Sequence, residues 1–415
     1  MKIGIIGGGA AGLVTAWLLE QQHDVVLFEA QNRLGGHAHT IYLDFDGTTM
    51  PIEIGFEFFN EHLYPTFCRL LEFLAVPTQN YLLTYTYFTS DQKNMIRIPF
   101  TQGGTVFWKT LAPIQLFHLI QLRYVISRGQ KILQEKKYDI TVEQFIDSLF
   151  VTDSFKHNFF YPFFSTAWGA TVDEFKLFAA CDLLAWILPN ISTKTQWYHV
   201  IDGMSSYITK LTSQLTRAQV KTGAPISHVT YENEQYIVWE KNGTSTKFDR
   251  LICATNAYEA HKLLQELPQL QEQCTVLQLF EYLASTLAVH GDHRYMPTDK
   301  KYWCNSNVEY NGTNSSLTIY NHWQLGPPIF RSWLMPGFPQ PEPLYAVEHF
   351  FHAKPTVNYF KAQELLAPLQ GRDSVWFAGM YTTGIDSHES AILSAINIAQ
   401  KLAPGSERLA SLLAV

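Results

Sequence analysis

The sequence predicts an α/β fold: a parallel sheet flanked by helices, interrupted by a second domain of helices plus a second β-sheet. Three observations predict it. A short apolar strand runs directly into a glycine-rich turn and a helix within the first twenty residues; strand-like segments return near residues 220–254 and 374–379; and between them lies a long region of helical periodicity. At 415 residues the chain is too long for one small core.

Lys2 to Ile6 read as a buried strand that ends in Gly7-Gly8-Gly9-Ala10-Ala11-Gly12, and a helix with Leu13, Ala16 and Trp17 on one face follows at once. Gly7 allows the tight turn, Gly9 lets backbone approach a pyrophosphate, and Gly12 lets the helix pack closely on the strand. The free N–H groups and partial positive charge of the helix N-terminus, at Ala10 and Ala11, make an anion site without a lysine. A second apolar run, Val25 to Phe28, ends in Glu29, about 20 residues after the glycines, where a carboxylate accepts hydrogen bonds from a ribose 2′-OH and repels a 2′-phosphate. Strand, helix, strand and acid in register make a Rossmann-like unit for an ADP moiety that is not NADP.

Hydrophobic residues make up 47% of the chain and aromatics 14%, which suits either a large core or a core with an aromatic-lined cavity. The net charge of −7 gives no electrostatic footprint for nucleic acid. The five cysteines are dispersed and form no CxxC pair, which argues for reduced thiols and against a zinc site. The first strand begins almost at residue 1, so no signal peptide is expected, and no apolar run is long enough to span a bilayer. A cytoplasmic setting is the expectation.

Arg33-Leu34-Gly35-Gly36-His37-Ala38-His39-Thr40 stands too close behind the first unit to be another domain. It reads as an extension of the same site, with bare glycine amides for a further stretch of phosphate and with Arg33 and His37 as donors. A hairpin follows over residues 41–60, in which Gly55 either lets backbone approach a flat ring or marks a bulge. From Leu63 to Val200 the pattern is mostly helical, with helices expected over Phe67–Leu74, Ile114–Ile126, Val142–Phe150 and Phe175–Leu188.

Within this region, residues 106–137 carry Lys109, Arg123, Arg128, Lys131, Lys136 and Lys137 against Glu135 alone, with Phe107, Trp108 and Phe117 interleaved. Such a stretch is either a solvated helix face over a core or a surface that rests on an anionic membrane and admits a lipid. The aromatic run Phe159 to Phe164, followed by Trp168, either walls a substrate cavity or is core.

Asp202-Gly203-Met204-Ser205 opens a helix through Leu215; Val220–Tyr231, Tyr236–Glu240 and Asp249–Ala254 read as strands returning to the first domain. Leu277–His290 and Ser316–Trp323 are expected in a second sheet. The chain closes with Ser374 to Gly379, a strand stopping at glycine, and a small-residue helix from His388 to Leu402. These breaks divide the chain into a discontinuous nucleotide-binding domain, 1–62, 201–262 and 366–415, and a substrate domain, 63–200 and 263–365.

The order GGGAAG with Glu29, RLGGHAHT, EIGF and a terminal WFAG before a helix resembles the flavin amine oxidase superfamily. YPFFSTAWGA, WYHVIDGMSSYI, VHGDHRYMP and WFAGMYTTGIDSHES are similar, more narrowly, to a bacterial amine-oxidase-like group associated with cyclopropane-fatty-acid synthase-like enzymes. The resemblance implies a glutathione-reductase-2 type FAD-binding domain. It places the ADP half of FAD on Gly7, Gly9, Gly12, Glu29 and Ala30, the pyrophosphate near Arg33, Gly35 and Gly36, and adenine on Ile226. Gly55, Phe56, Gly379, Met380, His388 and Glu389 match positions around the ribityl chain and isoalloxazine ring.

This chain departs from the family at His37, where many members have Arg; at Met380, where many have an acid; at His388-Glu389-Ser390-Ala391, where the narrower group has HEDG; and at Gly203-Met204, where it has paired glycines. The cysteine that some members bond to flavin is absent, so the implied FAD is non-covalent.

The implied chemistry is hydride transfer from a hydrophobic substrate, an acyl chain or an amine, to flavin N5, with the protein supplying orientation and electrostatics. His39, Trp168, Tyr320 and His322 are the candidates beside the flavin. The flavin-facing lysine of amine oxidases has no match here, which weakens an amine more than it weakens flavin. Two other readings stay open: redox-neutral flavin chemistry, as in an isomerase or mutase, and a non-catalytic lipid-binding module of the same fold, as in the Rab GDP-dissociation inhibitors.

Overall fold

The computed structural model describes residues 1–45, 47–135, 137–191, 195–321 and 326–413. A five-stranded parallel sheet takes its strands, from one edge to the other, from Gln219–Lys221, Asp24–Phe28, Lys2–Ile6, Arg250–Cys253 and Val375–Phe377. The chain thus leaves this sheet after residue 28 and returns to it with three later strands.

Its strands are apolar on both faces, as parallel strands covered on both sides must be. Ile3, Ile5, Val25 and Leu27 pack toward the helices Ala10–Leu19 and His388–Leu402. Ile6, Val26, Phe28 and Leu251 pack toward a three-stranded antiparallel layer, Ile226–Glu232, Gln235–Glu240 and Ser245–Phe248, and the helix Ala257–Leu264. Ala391, Ala395 and Ala399, four residues apart on one helix face, are all buried and bring His388–Leu402 close to the first helix.

The second sheet has seven strands in the order Leu344–Ala353, Tyr282–His290, Phe330–Trp333, Ser315–Tyr320, Ser306–Tyr310, Tyr85–Thr89 and Met95–Ile98. All its pairs are antiparallel except Ser306–Tyr310 with Tyr85–Thr89.

Several boundaries differ from expectation. The region 63–200 contributes two strands to this sheet as well as helices. Leu277 ends a helix, Gln271–Leu277, and the strand begins at Tyr282. The helix expected over Phe175–Leu188 is two, Val172–Lys176 and Ala180–Ile191, and the residues between them, Phe178 and Ala179, hydrogen-bond to Val142 and Pro355 instead of continuing the helix. The strand expected over Val220–Tyr231 is also two: Gln219–Lys221 joins the parallel sheet, and after Pro225 the chain enters the three-stranded layer.

Among the described residues no helix is long and apolar enough to cross a membrane.

Candidate active site

The first strand ends at Gly7, whose φ of +111° favours glycine and whose N–H donates to the Phe28 carbonyl at 2.8 Å. A Cβ on Gly12 would stand 1.9 Å from the Gly7 carbonyl oxygen, so only glycine lets the helix seat on the turn. Gly9 is different. A Cβ there would have only the Gly36 Cα nearby, at 3.9 Å, and a Cβ on Gly36 would face Gly9 in turn. The Gly35 N–H donates to the Gly8 carbonyl at 2.8 Å, which locks the two glycine loops together.

The result is an open, Cβ-free cleft at the N-terminus of Ala10–Leu19, a helix end with no side-chain cap and no acid in its first turn. Glu29 closes one side: its carboxylate accepts the Gly8 N–H at 2.7 Å and the Gln31 N–H at 2.8 Å. Ala30 is exposed beside it. Ala224 donates to the Glu29 carbonyl, and this pairing brings the following Ile226, half-buried, to the same edge. Arg33 turns back on its own loop, donating to the Gly36 carbonyl at 2.9 Å.

His37, the residue after Gly36, lines a cavity of about 1420 Å³, larger than the ~300–1,000 Å³ of ordinary small-molecule pockets. Its nearer wall contains His37, Gly55, Phe56, Met380 and His388. Gly55 earns its place for a reason other than approach to a ring: a Cβ there would lie 1.9 Å from the His37 carbonyl oxygen, because Ile54 and Phe56 donate to the His39 and His37 carbonyls on either side.

Phe56 stacks on His388 with ring centroids 4.5 Å apart, and His388 Nε2 shares a 2.8 Å hydrogen bond with the Tyr207 hydroxyl. Burial pushes His388 and His352 down to about 3, and His37 below its usual range, so all three imidazoles are neutral near pH 7. Met380 presents its side chain here while its carbonyl accepts from Tyr359. Gly379, with φ +143°, donates its N–H to Ser394 Oγ at 2.9 Å.

The farther walls follow strand and helix periods. Ser306 and Val308, Leu317 and Ile319, Arg331 and Trp333, and Phe350 and His352 each sit two apart on strands of the second sheet and share its cavity face. Leu119, Leu122 and Ile126 line it from the helix Pro113–Gln134. Phe163, Phe164 and Trp168 close it, so part of the aromatic run does wall a cavity, while Phe155, Phe159 and Phe160 are core.

Of the three candidates for chemistry among the described residues, only Trp168 lines the cavity. His39 stays at the foot of the strand Thr40–Phe45, held down to about 4 by burial and by the nearby Arg33. Tyr320 faces a separate small pocket with Trp303. His322 lies outside the described residues. Glu389, matched by resemblance to the flavin surroundings, does not line the cavity. Both of its carboxylate oxygens accept backbone N–H groups, from Thr66 and Phe67 at 2.9 Å, and so cap the helix Pro65–Phe73.

The polar centre is one that sequence reasoning missed. Glu57 and Arg331 form a buried ion pair at 2.6 Å. Arg331 Nη1 also donates to the Glu53 carbonyl, and Asn321 Nδ2 donates to Glu57 Oε1, both at 2.7 Å. Glu53 Oε1 accepts from Thr40 Oγ1 and from the Met204 N–H, capping the helix Met204–Ser213. Arg331 Nη2, Glu53 Oε2 and Asn321 Oδ1 are buried with no partner among the described residues.

Burial, with Glu57 close by, pushes Glu53 up to about 8. The folded state therefore holds a proton that the unfolded chain releases near the usual carboxylate value. Stability from this group is complete below that value and declines as pH rises toward 8. Unfolding midpoints measured from pH 5 to pH 9 should fall across this window, and Glu53→Gln should flatten the slope. Asp386, also on the wall, is raised to about 7 by burial, and its backbone N–H points at the buried Asp182 carboxylate at 3.4 Å.

The sequence matches the profile of flavin containing amine oxidoreductases over residues 10–290. The chain belongs to that family. Solved structures with the same fold include a CLA-producing fatty acid isomerase from P. acnes (TM-score 0.71, 14% identity, 97% of this chain and 98% of that one). A cyclohexylamine oxidase from Brevibacterium oxydans IH-35A (0.69, 14%, 97% and 99%) and a wild-type putrescine oxidase bound to putrescine (0.67, 12%, 97% and 99%) share it too. No curated protein matches the chain in sequence.

Membership in the flavin containing amine oxidoreductases implies a flavin, and the residues present fit one. The Cβ-free cleft between Gly9 and Gly36, the uncapped helix end and the Glu29 carboxylate would hold a dinucleotide, and the next residue, His37, already lines the cavity.

Proposed function

We propose that this protein is an FAD-dependent oxidoreductase that removes a hydride from an apolar, acyl-chain-like substrate bearing one polar end. The observation that carries this reading is the large, mainly apolar cavity beside the second glycine loop: His37, next to Gly36, lines it, and the buried Glu53, Glu57 and Arg331 group stands on its wall. When bound, FAD would supply the two-electron acceptor.

The chain's own residues supply the rest. Gly9, Gly36 and Glu29 would hold the ADP half, and Ile226 would pack against its adenine. Phe56 and His388 fix the ring's edge as a stacked, neutral pair. The strand faces Val308–Leu317–Ile319 and the aromatics Phe163, Phe164 and Trp168 exclude water from the chain of the substrate. Arg331 Nη2, on the cavity wall, receives its polar end, since a buried polar atom without a partner is costly unless a ligand satisfies it.

No lysine lines the cavity among the described residues, which favours an acyl chain over an amine. Binding to FAD is proposed as non-covalent, and the alternative of redox-neutral isomerisation is supported by the likeness to the fatty acid isomerase.

Anaerobic mixing with unsaturated and saturated fatty acids tests both. Bleaching of the flavin by one of them is the expected result; double-bond migration without net bleaching would replace oxidation by isomerisation, and absence of any spectral or product change with acyl substrates would overturn the substrate class.

A further inference from the structure

The helix Pro113–Gln134 is turned the wrong way round for water. In its first half the buried face carries Gln115, His118 and Gln121, before Leu122 and Val125 take over further on, while Ile114, Leu116, Phe117 and Ile120 point outward, with Phe117 46% and Ile120 65% exposed. The rotation is fixed by specific bonds. Gln115 Nε2 donates to Asn94 Oδ1 at 3.1 Å, and Gln121 Oε1 accepts from the Thr152 N–H at 2.7 Å and from its hydroxyl. These bonds hold the glutamines in and leave the apolar residues of the first half facing outward.

The face continues. Trp108, 72% exposed, lies on the turn that leads into this helix, and the Phe107 N–H donates to the carbonyl of Phe100, itself exposed. Further along the same outward side the apolar residues give way to Arg123, Arg128 and Lys131. Among the described residues Arg123 and Arg128 form no salt bridge, in a chain whose net charge is −7. The cavity opens beside this ridge: Leu119, Arg123 and Ile126 of the helix line it, as do Leu82 and the Ile98–Pro99 pair next to Phe100.

We propose that this ridge docks on an anionic lipid bilayer, with Trp108, Phe117 and Ile120 in the acyl boundary and Arg123, Arg128 and Lys131 at the phosphates, so that the cavity mouth faces the membrane. An apolar face that ends in cations matches the two layers of a bilayer surface, acyl chains below charged headgroups. A second protein copy would meet the same cations on itself and gain no such match. The cavity then receives its substrate from the membrane rather than through water.

Co-sedimentation with vesicles of phosphatidylcholine alone and of equimolar phosphatidylcholine and phosphatidylglycerol tests this. The protein binds the anionic vesicles and binds the neutral ones more weakly. Phe117→Ser with Ile120→Ser lowers the partition by about a hundredfold, roughly tenfold for each side chain removed from the acyl layer, and Arg128→Glu with Lys131→Glu removes the preference for phosphatidylglycerol. None of these four residues lines the cavity, so flavin content and unfolding midpoint stay unchanged and a folding defect is separable. Failure of the wild type to bind either vesicle, binding by the serine variant equal to wild type, or a dimer in sedimentation velocity that the serine variant dissociates would overturn the proposal.

Discussion

Gly9→Val is expected to abolish FAD retention while leaving the fold intact, and Gly12→Ala is expected to damage the fold itself. The two glycines stand three residues apart in one motif, yet their surroundings differ. A Cβ at Gly9 meets nothing closer than 3.9 Å, and its φ of −75° is open to any residue. A valine side chain there fills the cleft facing Gly36, where the pyrophosphate would lie. Losing the amide contacts of a charged group costs at least ~1.5–3 kcal/mol, and steric exclusion adds to it, so affinity for FAD falls by a hundredfold or more, about two factors of ten at 1.4 kcal/mol each.

At Gly12 a Cβ would overlap the Gly7 carbonyl at 1.9 Å, so the helix must shift off the strand and the midpoint of unfolding drops. Titration of both variants with FAD, alongside thermal unfolding, separates the two effects. Equal FAD affinity in Gly9→Val and wild type would mean that the cleft does not hold the dinucleotide.

The second large effect concerns the polar centre. Arg331→Met leaves the Glu57 carboxylate buried with Asn321 as its remaining side-chain partner, and breaking a buried pair in this way costs about 3–5 kcal/mol. The Arg331 bond to the Glu53 carbonyl is lost as well. Glu57→Leu combined with Arg331→Met removes both charges and should recover much of the loss, since replacing a whole buried pair by apolar groups is often neutral. Urea unfolding of the wild type, the single variants and the double variant closes the cycle. A single variant as stable as wild type would show that Glu57 is solvated through the cavity.

What the sequence made legible follows from range. The glycine turn, its helix and Glu29 lie within thirty residues, and each position answers to a local constraint, so spacing alone predicts them. The polar centre is assembled from Glu53 and Glu57 on one side and Asn321 and Arg331 on the other, more than 260 residues apart, with no motif linking them. Only the charge in the apolar run Ile54-Gly55-Phe56-Glu57-Phe58-Phe59 hinted at it.

The strands Tyr85–Thr89 and Met95–Ile98 were invisible for a similar reason. Tyr85–Thr89 pairs with Ser306–Tyr310, a partner far along the chain, and tertiary pairing overrides a local pattern. The helix Pro113–Gln134 misleads in the opposite sense. Its position was legible from apolar spacing, but in its first half Asn94 and Thr152 bind Gln115 and Gln121, which leaves Ile114, Leu116, Phe117 and Ile120 outward, while Leu122 and Val125 further on are buried.

FAD in the cleft between the two glycine loops is what the proposed function depends on. The absorption spectrum of the purified protein, followed by mass analysis of what acid denaturation releases, tests it most directly. A flavin spectrum in the native protein, lost to the supernatant on denaturation as a species with the mass of FAD, is the predicted result. A protein that shows no flavin absorption as purified and gains none when FAD is added would contradict it.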